Sequence, residues 1–424
     1  MSLINQYLCG IILPCLLIIL GVILGIRYRF FYIFHPIKTF KTILSNQKDG
    51  FRSLSVALAG TLGIGNIVGV ASAIILGGAG SIFWMWISAL CAMSLKYTEV
   101  YLAMKYRHFT KDGSFGGAPY YINEGLKKKV GVGGAFFLST IFAILCTVNS
   151  LTTGNLVQIN SVSSILPLSP LTFGIVFTLL AFIVIAGGIK RITKITAILI
   201  PFLTVVYVLM CLFIVVINIQ KLPNVIGTIL SEAFCLKSVV GGACGFGLSK
   251  AMRYGVSRGV LSNEAGCGTS PAAHASCADS NPHEQGCLGI LEVFIDTILL
   301  CSLTAFVILL TPSELTDNPV TTVISSFENW LGAFGKYAAQ ILSILFAFAT
   351  VVCQYFYGME SIKYISSKKS SKTVFTLIFL FVLLIGAVIP MWLMWEISDL
   401  ALAIMTIINL VCLFIIQNKK TPLG

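Results

Sequence analysis

Two stretches of this chain have the composition of a backbone that meets ligands rather than of an ordinary helix. Ala59-Gly60-Thr61-Leu62-Gly63-Ile64-Gly65-Asn66-Ile67-Val68-Gly69 and Gly241-Gly242-Ala243-Cys244-Gly245-Phe246-Gly247 each sit within a long apolar run. Glycine in a helix interior costs about 1 kcal/mol relative to alanine, so such clusters weaken a helix locally. In a bilayer an unwound backbone survives only where it is buried in protein or lines a cavity. A helix interrupted there presents free N–H groups, which attract anions, and free carbonyls, which attract cations. Close packing through small residues is the alternative for either cluster taken alone.

Charged side chains inside the apolar runs are few enough to weigh singly. Asp296 needs a partner; an ion pair with Lys250 or Arg253 is one expectation and a proton relay the other. Lys96 and Glu99 lie three residues apart on one helix and are expected to pair with each other. His274, Asp279, His283 and Glu284 cluster without metalloprotease or nucleophile-elbow spacing, so they read as a solvated cytoplasmic connector. No enzyme is expected. Trp84, Trp86, Trp392 and Trp395 read as interfacial anchors. The 13 cysteines fall largely within apolar runs, as small buried hydrophobes rather than a disulfide framework or a metal motif.

The elements that must position these residues follow from composition. Of 424 residues 57% are apolar and 10% charged, against about 25% charged in an average soluble domain. Mean hydropathy is +0.94. A soluble globule is excluded, and continuous apolar runs exclude a barrel of alternating strands. The net charge of +12 sits in loops with no aromatic-interleaved basic face, so no nucleic-acid partner is expected. The partner is the lipid bilayer. Residues 1–27 lack a basic leader and a cleavage pattern and read as a retained first span.

Apolar runs predict spans at 7–27, 52–76, 82–106, 134–159, 171–187, 193–217, 287–311, 336–360, 373–391 and 396–417, with an interrupted span within 228–278. That is an all-α polytopic membrane protein with about 11 transmembrane helices. Lys and Arg alternate accordingly. Counting Lys111, Lys419 and Lys420, one set of alternate loops holds 21; the other holds Lys221, Lys237 and Lys336. The positive-inside rule then puts the N-terminus outside and the C-terminus in the cytoplasm. Setting the first span aside, a glycine-broken helix opens each group of five, the pattern of an inverted-repeat secondary transporter. Lys250, Arg253 and Arg258 are expected to snorkel toward the cytoplasmic face, which places the second break near 241–247 rather than at Gly266-Cys267-Gly268. Ser262-Asn263-Glu264 would then cap a cytoplasmic segment.

Several runs resemble the alanine or glycine:cation symporter family. They are Gly63-Ile64-Gly65-Asn66-Ile67-Val68-Gly69-Val70-Ala71, Gly77-Gly78-Ala79-Gly80-Ser81-Ile82-Phe83-Trp84-Met85-Trp86 and Ser262-Asn263-Glu264-Ala265-Gly266. Arg258-Gly259, Asp296-Thr297 and Leu345-Phe346-Ala347-Phe348-Ala349-Thr350 also match, in order, from about residue 50 to 410. The chain departs from the family's pattern at Ile64, Cys91 and Leu261, where Thr, Gly and Phe are usual.

The resemblance implies the leucine-transporter fold of the amino acid–polyamine–organocation superfamily, a 5+5 inverted repeat preceded by one extra helix. On that reading residues 1–50 are the extra helix and a basic cytoplasmic loop, 51–217 the first half and 218–424 the second, within one transport domain. It implies sodium-driven import of alanine, glycine or similar small neutral amino acids across the cytoplasmic membrane. A proton-coupled porter is the alternative, and a passive channel or membrane enzyme the reading from another class. Thr61, Gly63, Gly65 and Asn66 would line one wall of the substrate site, and Gly241, Gly242, Gly245 and Phe246 the other. Asn66 could instead be a structural hydrogen-bonding residue. By resemblance to the fold, the coupling ion Na⁺ would be held by the carbonyls of Ala59, Leu62 and Ala347 and the Thr350 hydroxyl, with Gln354 a weaker candidate for either site.

Overall fold

The computed structural model describes residues 5, 7–45, 48–110, 113–234, 241–277, 280–312 and 315–416, and within them all side chains except those of 44, 45, 48, 49, 110, 113, 241–249 and 391–393. Lys111, Lys237, Asp279, Lys419 and Lys420 lie outside the described residues.

Almost everything described is helical. The first part holds α1 (Leu13–Arg27), α2 (Phe31–Phe34), α3 (Pro36–Ser45), α4 (Lys48–Thr61), α5 (Val68–Gly77) and α6 (Gly80–Lys105). A short hairpin, His108–Thr110 against Gly113–Phe115, precedes α7 (Ala118–Leu151), α8 (Val157–Ser163), α9 (Pro170–Ala186), α10 (Gly188–Ile217) and α11 (Leu222–Ala233). Then come α12 (Gly241–Asn263), α13 (Pro271–Ala275), α14 (Pro282–Val293), α15 (Ser302–Leu310), α16 (Pro319–Ile365), α17 (Lys369–Gly386) and α18 (Met391–Ile416). Short π segments at Thr152–Leu156 and Phe294–Cys301 join α7 to α8 and α14 to α15.

Local chemistry sets the helix starts. Ser169, Asn281 and Asn318 each accept a first-turn N–H on their side chain, and a proline follows each of them. That combination satisfies otherwise orphaned donors and pre-sets the first helical φ. At its other end α5 stops where Gly78 adopts φ 79°.

Among the described residues seven helical stretches are long and apolar enough to cross a membrane, and the bent pair α4–α5 makes an eighth, its halves turned 64° apart. Their outward faces are apolar: Leu179, Phe182, Phe202, Leu209, Phe213, Leu377 and Phe381 are all exposed. In water such a surface would aggregate; in lipid it is the solvated face. The chain is a polytopic helical membrane protein.

Two features go beyond the sequence reading. The runs read at 134–159 and 336–360 are only the later parts of longer helices. Each starts as an arm, at Ala118 and Pro319, that breaks at a glycine of positive φ, Gly131 (78°) and Gly332 (61°). The element starts also recur. Gly80, Ala118, Pro170 and Gly188 are answered by Pro282, Pro319, Lys369 and Met391, each about 200 residues later.

The first helix is not a loose appendage. A Cβ on Gly21 would lie 2.6 Å from Cys91 Cβ, and Ser94 Oγ donates to the Gly21 carbonyl at 2.6 Å. Gly21 of α1 therefore sits directly against α6 at Cys91 and Ser94.

Candidate functional site

The first break falls where the glycine cluster placed it. Helix α4 ends at Thr61, a single 3-10 turn covers Ile64–Asn66, and α5 begins at Val68. The N–H groups freed by the break are met by side chains. Gly63 N–H donates to Asn66 Oδ1 (3.2 Å) and Ile64 N–H to Gln158 Oε1 (3.0 Å). A Cβ on Gly63 would lie 2.5 Å from Thr350 Oγ1 and 2.8 Å from Gln158 Oε1, so only glycine fits. A Cβ on Gly65 would lie 3.1 Å from Ser262 Cα, which brings this break against the end of α12.

The second break is not at 241–247. Helix α12 runs unbroken from Gly241 to Asn263, and the chain turns out of it through Glu264 (φ 48°), Gly266 (φ 85°) and Gly268 (φ 77°) before α13. The cost of glycine in a helix is about 1 kcal/mol each, less than that of leaving helical backbone groups unpaired in an apolar surround. At 264–268 the unwound backbone has partners instead. Gly266 N–H donates to Glu99 Oε2 (3.1 Å), the Gly266 carbonyl accepts from Asn409 Nδ2 (2.8 Å), and Ala265 N–H donates to Asn263 Oδ1 (2.9 Å). Ser262, Asn263 and Glu264 are thus buried in the break rather than capping a cytoplasmic segment. Gly241, Gly242, Gly245 and Phe246 lie in the first turns of α12, and their side chains are outside the described set. A helix rises about 1.5 Å per residue, which puts Gly245 roughly 25 Å along the axis from Ser262.

The buried charges have other partners than sequence spacing suggested. Asp296, fully buried, accepts from Asn66 Nδ2 (2.7 Å), Ser262 Oγ (2.8 Å) and Thr297 Oγ1 (2.7 Å), not from Lys250 or Arg253. It thereby ties the first break to the end of α12. Lys96 pairs not with Glu99 but with Glu292 (3.2 Å), both fully buried, and donates to Ser270 Oγ (2.8 Å). Glu99 accepts from Gly266 and, at 2.5 Å, from Asn409. Neighbours three apart on a helix lost to partners on other helices because tertiary packing aims each head group away from its own element.

His274 is likewise interior rather than solvated: it bridges Gln285 Oε1 (2.7 Å) and Glu292 Oε2 (3.2 Å). His283 meets the Tyr97 hydroxyl at 2.7 Å. Arg258 does not snorkel to the cytoplasmic face; it pairs with Asp399 (2.9 Å) beneath the Trp395 ring. Trp84 and Trp86 donate to the Ala233 carbonyl and Ser302 Oγ and so tie α6 to its neighbours. The Trp392 side chain is outside the described set.

Of the sodium candidates, Thr350 and Leu62 are brought together: Thr350 Oγ1 donates to the Leu62 carbonyl at 3.3 Å, and Ala59 and Ala347 are fully buried. Of the substrate candidates, Thr61 bonds back to Ala57 and Leu58 of its own helix, and Asn66 acts as a structural bridge between Gly63 and Asp296. A crevice beside the break is lined by Leu62, Gly63, Asn66, Ile67, Tyr207, Leu300 and Phe346. It holds about 180 Å³ of atom-free space, divided too finely for a water molecule.

Neither Tyr207 and Phe346, which line the crevice, nor Gln158, which meets the freed Ile64 N–H, is singled out by the sequence for that part, since a lone aromatic or amide in an apolar span carries no local signal. Gln354, read as a weak candidate, links both breaks: its Nε2 donates to Glu264 Oε1 (2.6 Å) and to the Gly60 carbonyl (3.4 Å). The other Glu264 oxygen accepts from Thr269.

Comparison with known proteins adds the family. A model of the sodium:alanine symporter family matches residues 1–422. The sodium/alanine symporter AgcS of Methanococcus maripaludis is 34% identical over 98% of this chain and 94% of its own length. The amino-acid carrier protein AlsT of Bacillus subtilis is 32% identical over 95% and 86%, and the probable sodium/glutamine symporter GlnT of the same organism is 32% identical over 95% and 86%. With the break at Gly63–Gly65 set against the end of α12 at Ser262 and a match along nearly the whole length, this chain belongs to the sodium:alanine symporter family, and is a transporter rather than an enzyme.

Proposed function

We propose that this protein is a sodium-coupled symporter that imports a small neutral amino acid by alternating access. The observation that carries the reading is the meeting of two interrupted helices, Gly65 against Ser262, beside the Thr350–Leu62 contact. In this reading α6, α9 and α12 also cross the bilayer, giving eleven spans. The 200-residue recurrence of element starts supports two five-helix halves, 51–217 and 218–424, behind the extra helix of 1–50. The carbonyls of Ala59, Leu62 and Ala347 and the Thr350 hydroxyl form a hard oxygen set suited to Na⁺ as co-substrate.

The amino acid then sits at the facing breaks. Gly63 and Gly65 supply backbone on one side, Thr61 and Asn66 position that backbone, and the Glu264–Gly268 turn forms the other side. Gly241, Gly242, Gly245 and Phe246 become the approach along the same helix. Glycines at the wall, which leave no side chain to widen or fill it, favour alanine or glycine as substrate. The basic loops place the N-terminus outside and the C-terminus in the cytoplasm.

A proton-coupled mode is the second reading, and Asp296 is the observation behind it: a fully buried carboxylate joined to both breaks through neutral donors. Proteoliposomes separate the two. Alanine accumulating against its gradient only under inward Na⁺ supports sodium symport. Accumulation driven by a pH gradient alone overturns it, as does mere equilibration.

A further inference from the structure

The segment that follows α1 is built to face a charged surface. Residues 27–48 contain five Lys or Arg and no Asp or Glu. Immediately after α1 the chain passes through two successive non-glycine residues in the left-handed region, Arg29 (φ 55°) and Phe30 (φ 42°). That conformation is disfavoured for L-residues, and packing holds it. Tyr28 is fully buried, the Phe30 ring covers Gly25, Phe31 packs edge-on to Tyr97 at 5.3 Å, and the Tyr32 hydroxyl donates to the Leu90 carbonyl (2.9 Å).

The turn redirects the chain from α1 into α3, which buries Thr39 and Ile43 and packs against α14. The end of α2 and much of the described surface of α3 are left outside. Phe34, Ile37 and Phe40 are 70%, 73% and 54% exposed, with Lys38 and Lys41 exposed beside them. A groove of about 370 Å³ lies there, lined by Phe34, His35, Pro36, Ile37, Lys38 and Lys41.

We propose that this groove binds the head group of an anionic phospholipid, with Phe34, Ile37 and Phe40 seated among the acyl chains and Lys38 and Lys41 on the phosphate. Two observations select that occupant. The apolar edge continues the exposed apolar face of α1 (Ile19, Ile23 and Ile26), which already faces lipid. The segment's own charge, from 27 to 48, is of one sign, complementary to an anionic leaflet, and an amphipathic helix with lysines flanking exposed aromatics lies in the interface plane. Each Lys near such a surface contributes about 1 kcal/mol.

The test is equilibrium binding of a short-chain fluorescent phosphatidylglycerol to the delipidated full-length protein in neutral detergent. The expected result is saturable binding, displaced by unlabelled phosphatidylglycerol but not by phosphatidylcholine or by millimolar inorganic phosphate. Lys38→Gln/Lys41→Gln should weaken it about 30-fold, and Phe34→Ser/Phe40→Ser should weaken it as well. Lys368→Gln/Lys369→Gln, an exposed pair on another loop, should leave it unchanged. Equal loss in both lysine pairs would reduce the effect to diffuse charge and overturn the site. Competition by inorganic phosphate would replace the lipid with a free anion, and full binding in Lys38→Gln/Lys41→Gln would refute the proposal outright.

Discussion

Thr350→Val is the most discriminating perturbation of the proposed ion site. Valine keeps the volume and β-branching and deletes one oxygen. In the structure that hydroxyl is not spent on its own helical turn; it reaches the carbonyl of Leu62, in the break after α4, at 3.3 Å. As a neutral hydrogen bond of that length it contributes about 0.5–1.5 kcal/mol to stability at most, whereas as a partner of a charged group it is worth about 1.5–3 kcal/mol. At 1.4 kcal/mol per decade, loss of a cation ligand lowers apparent Na⁺ affinity roughly 10- to 150-fold. The assay is uptake of radiolabelled alanine into proteoliposomes as a function of Na⁺. Since coupling between two ligands is reciprocal, alanine affinity should suffer at low Na⁺ and recover as Na⁺ is raised. Thr350→Ser restores the oxygen and should recover most of the sodium response. An unchanged half-saturating Na⁺ in a well-folded Thr350→Val protein would remove Thr350 from the ion site and leave it a helix-to-helix tie.

Further outcomes follow from the buried polar links and the helix contacts. Lys96→Met strands Glu292 without its cation in a fully buried pair, so it should destabilise the protein by about 3–5 kcal/mol. Lys96→Met/Glu292→Gln should regain part of that, read as melting of the purified protein; an additive double mutant would contradict the pairing. Asp296→Asn places an amide where the carboxylate accepts from Asn66, Ser262 and Thr297. Each mismatched bond costs about 1–3 kcal/mol, and the substitution should abolish transport while a folded protein still elutes; full uptake would show that the tie between the breaks is dispensable. Gly255→Ala drives a Cβ into the Ser81 carbonyl and against Trp84; overpacking of about 1–3 kcal/mol should lower the melting temperature, and an unshifted melt would contradict the α6–α12 contact. A cysteine at exposed Ser370 should resist an impermeant thiol reagent in intact cells, and ready labelling would invert the proposed orientation.

Class, segment order and the first break were legible in the sequence because their causes are local. Apolar run length states that a helix meets lipid, and Gly60, Gly63 and Gly65 around a lone Asn66 weaken one such helix within a few residues. What the sequence could not rank was two glycine clusters in one region. Gly241–Gly247 has the stronger local signal, yet α12 stays helical through it, and the chain breaks at Glu264–Gly268 because Glu99 and Asn409, far away in sequence, supply partners to the unwound backbone of Gly266. The same reason governs the charges. Spacing of three paired Lys96 with Glu99, while packing gave Lys96 to Glu292 and Glu99 to the break. Asp296 needed a partner, and only the meeting of the Ile64–Asn66 turn, α12 and the π segment of Phe294–Cys301 decided that it would be Asn66 and Ser262. Propensity and hydropathy act within a turn or a span and are therefore written along the chain. The partners of buried polar groups are chosen across helices by which head groups packing brings within about 3 Å of one another, and only the tertiary structure makes that choice.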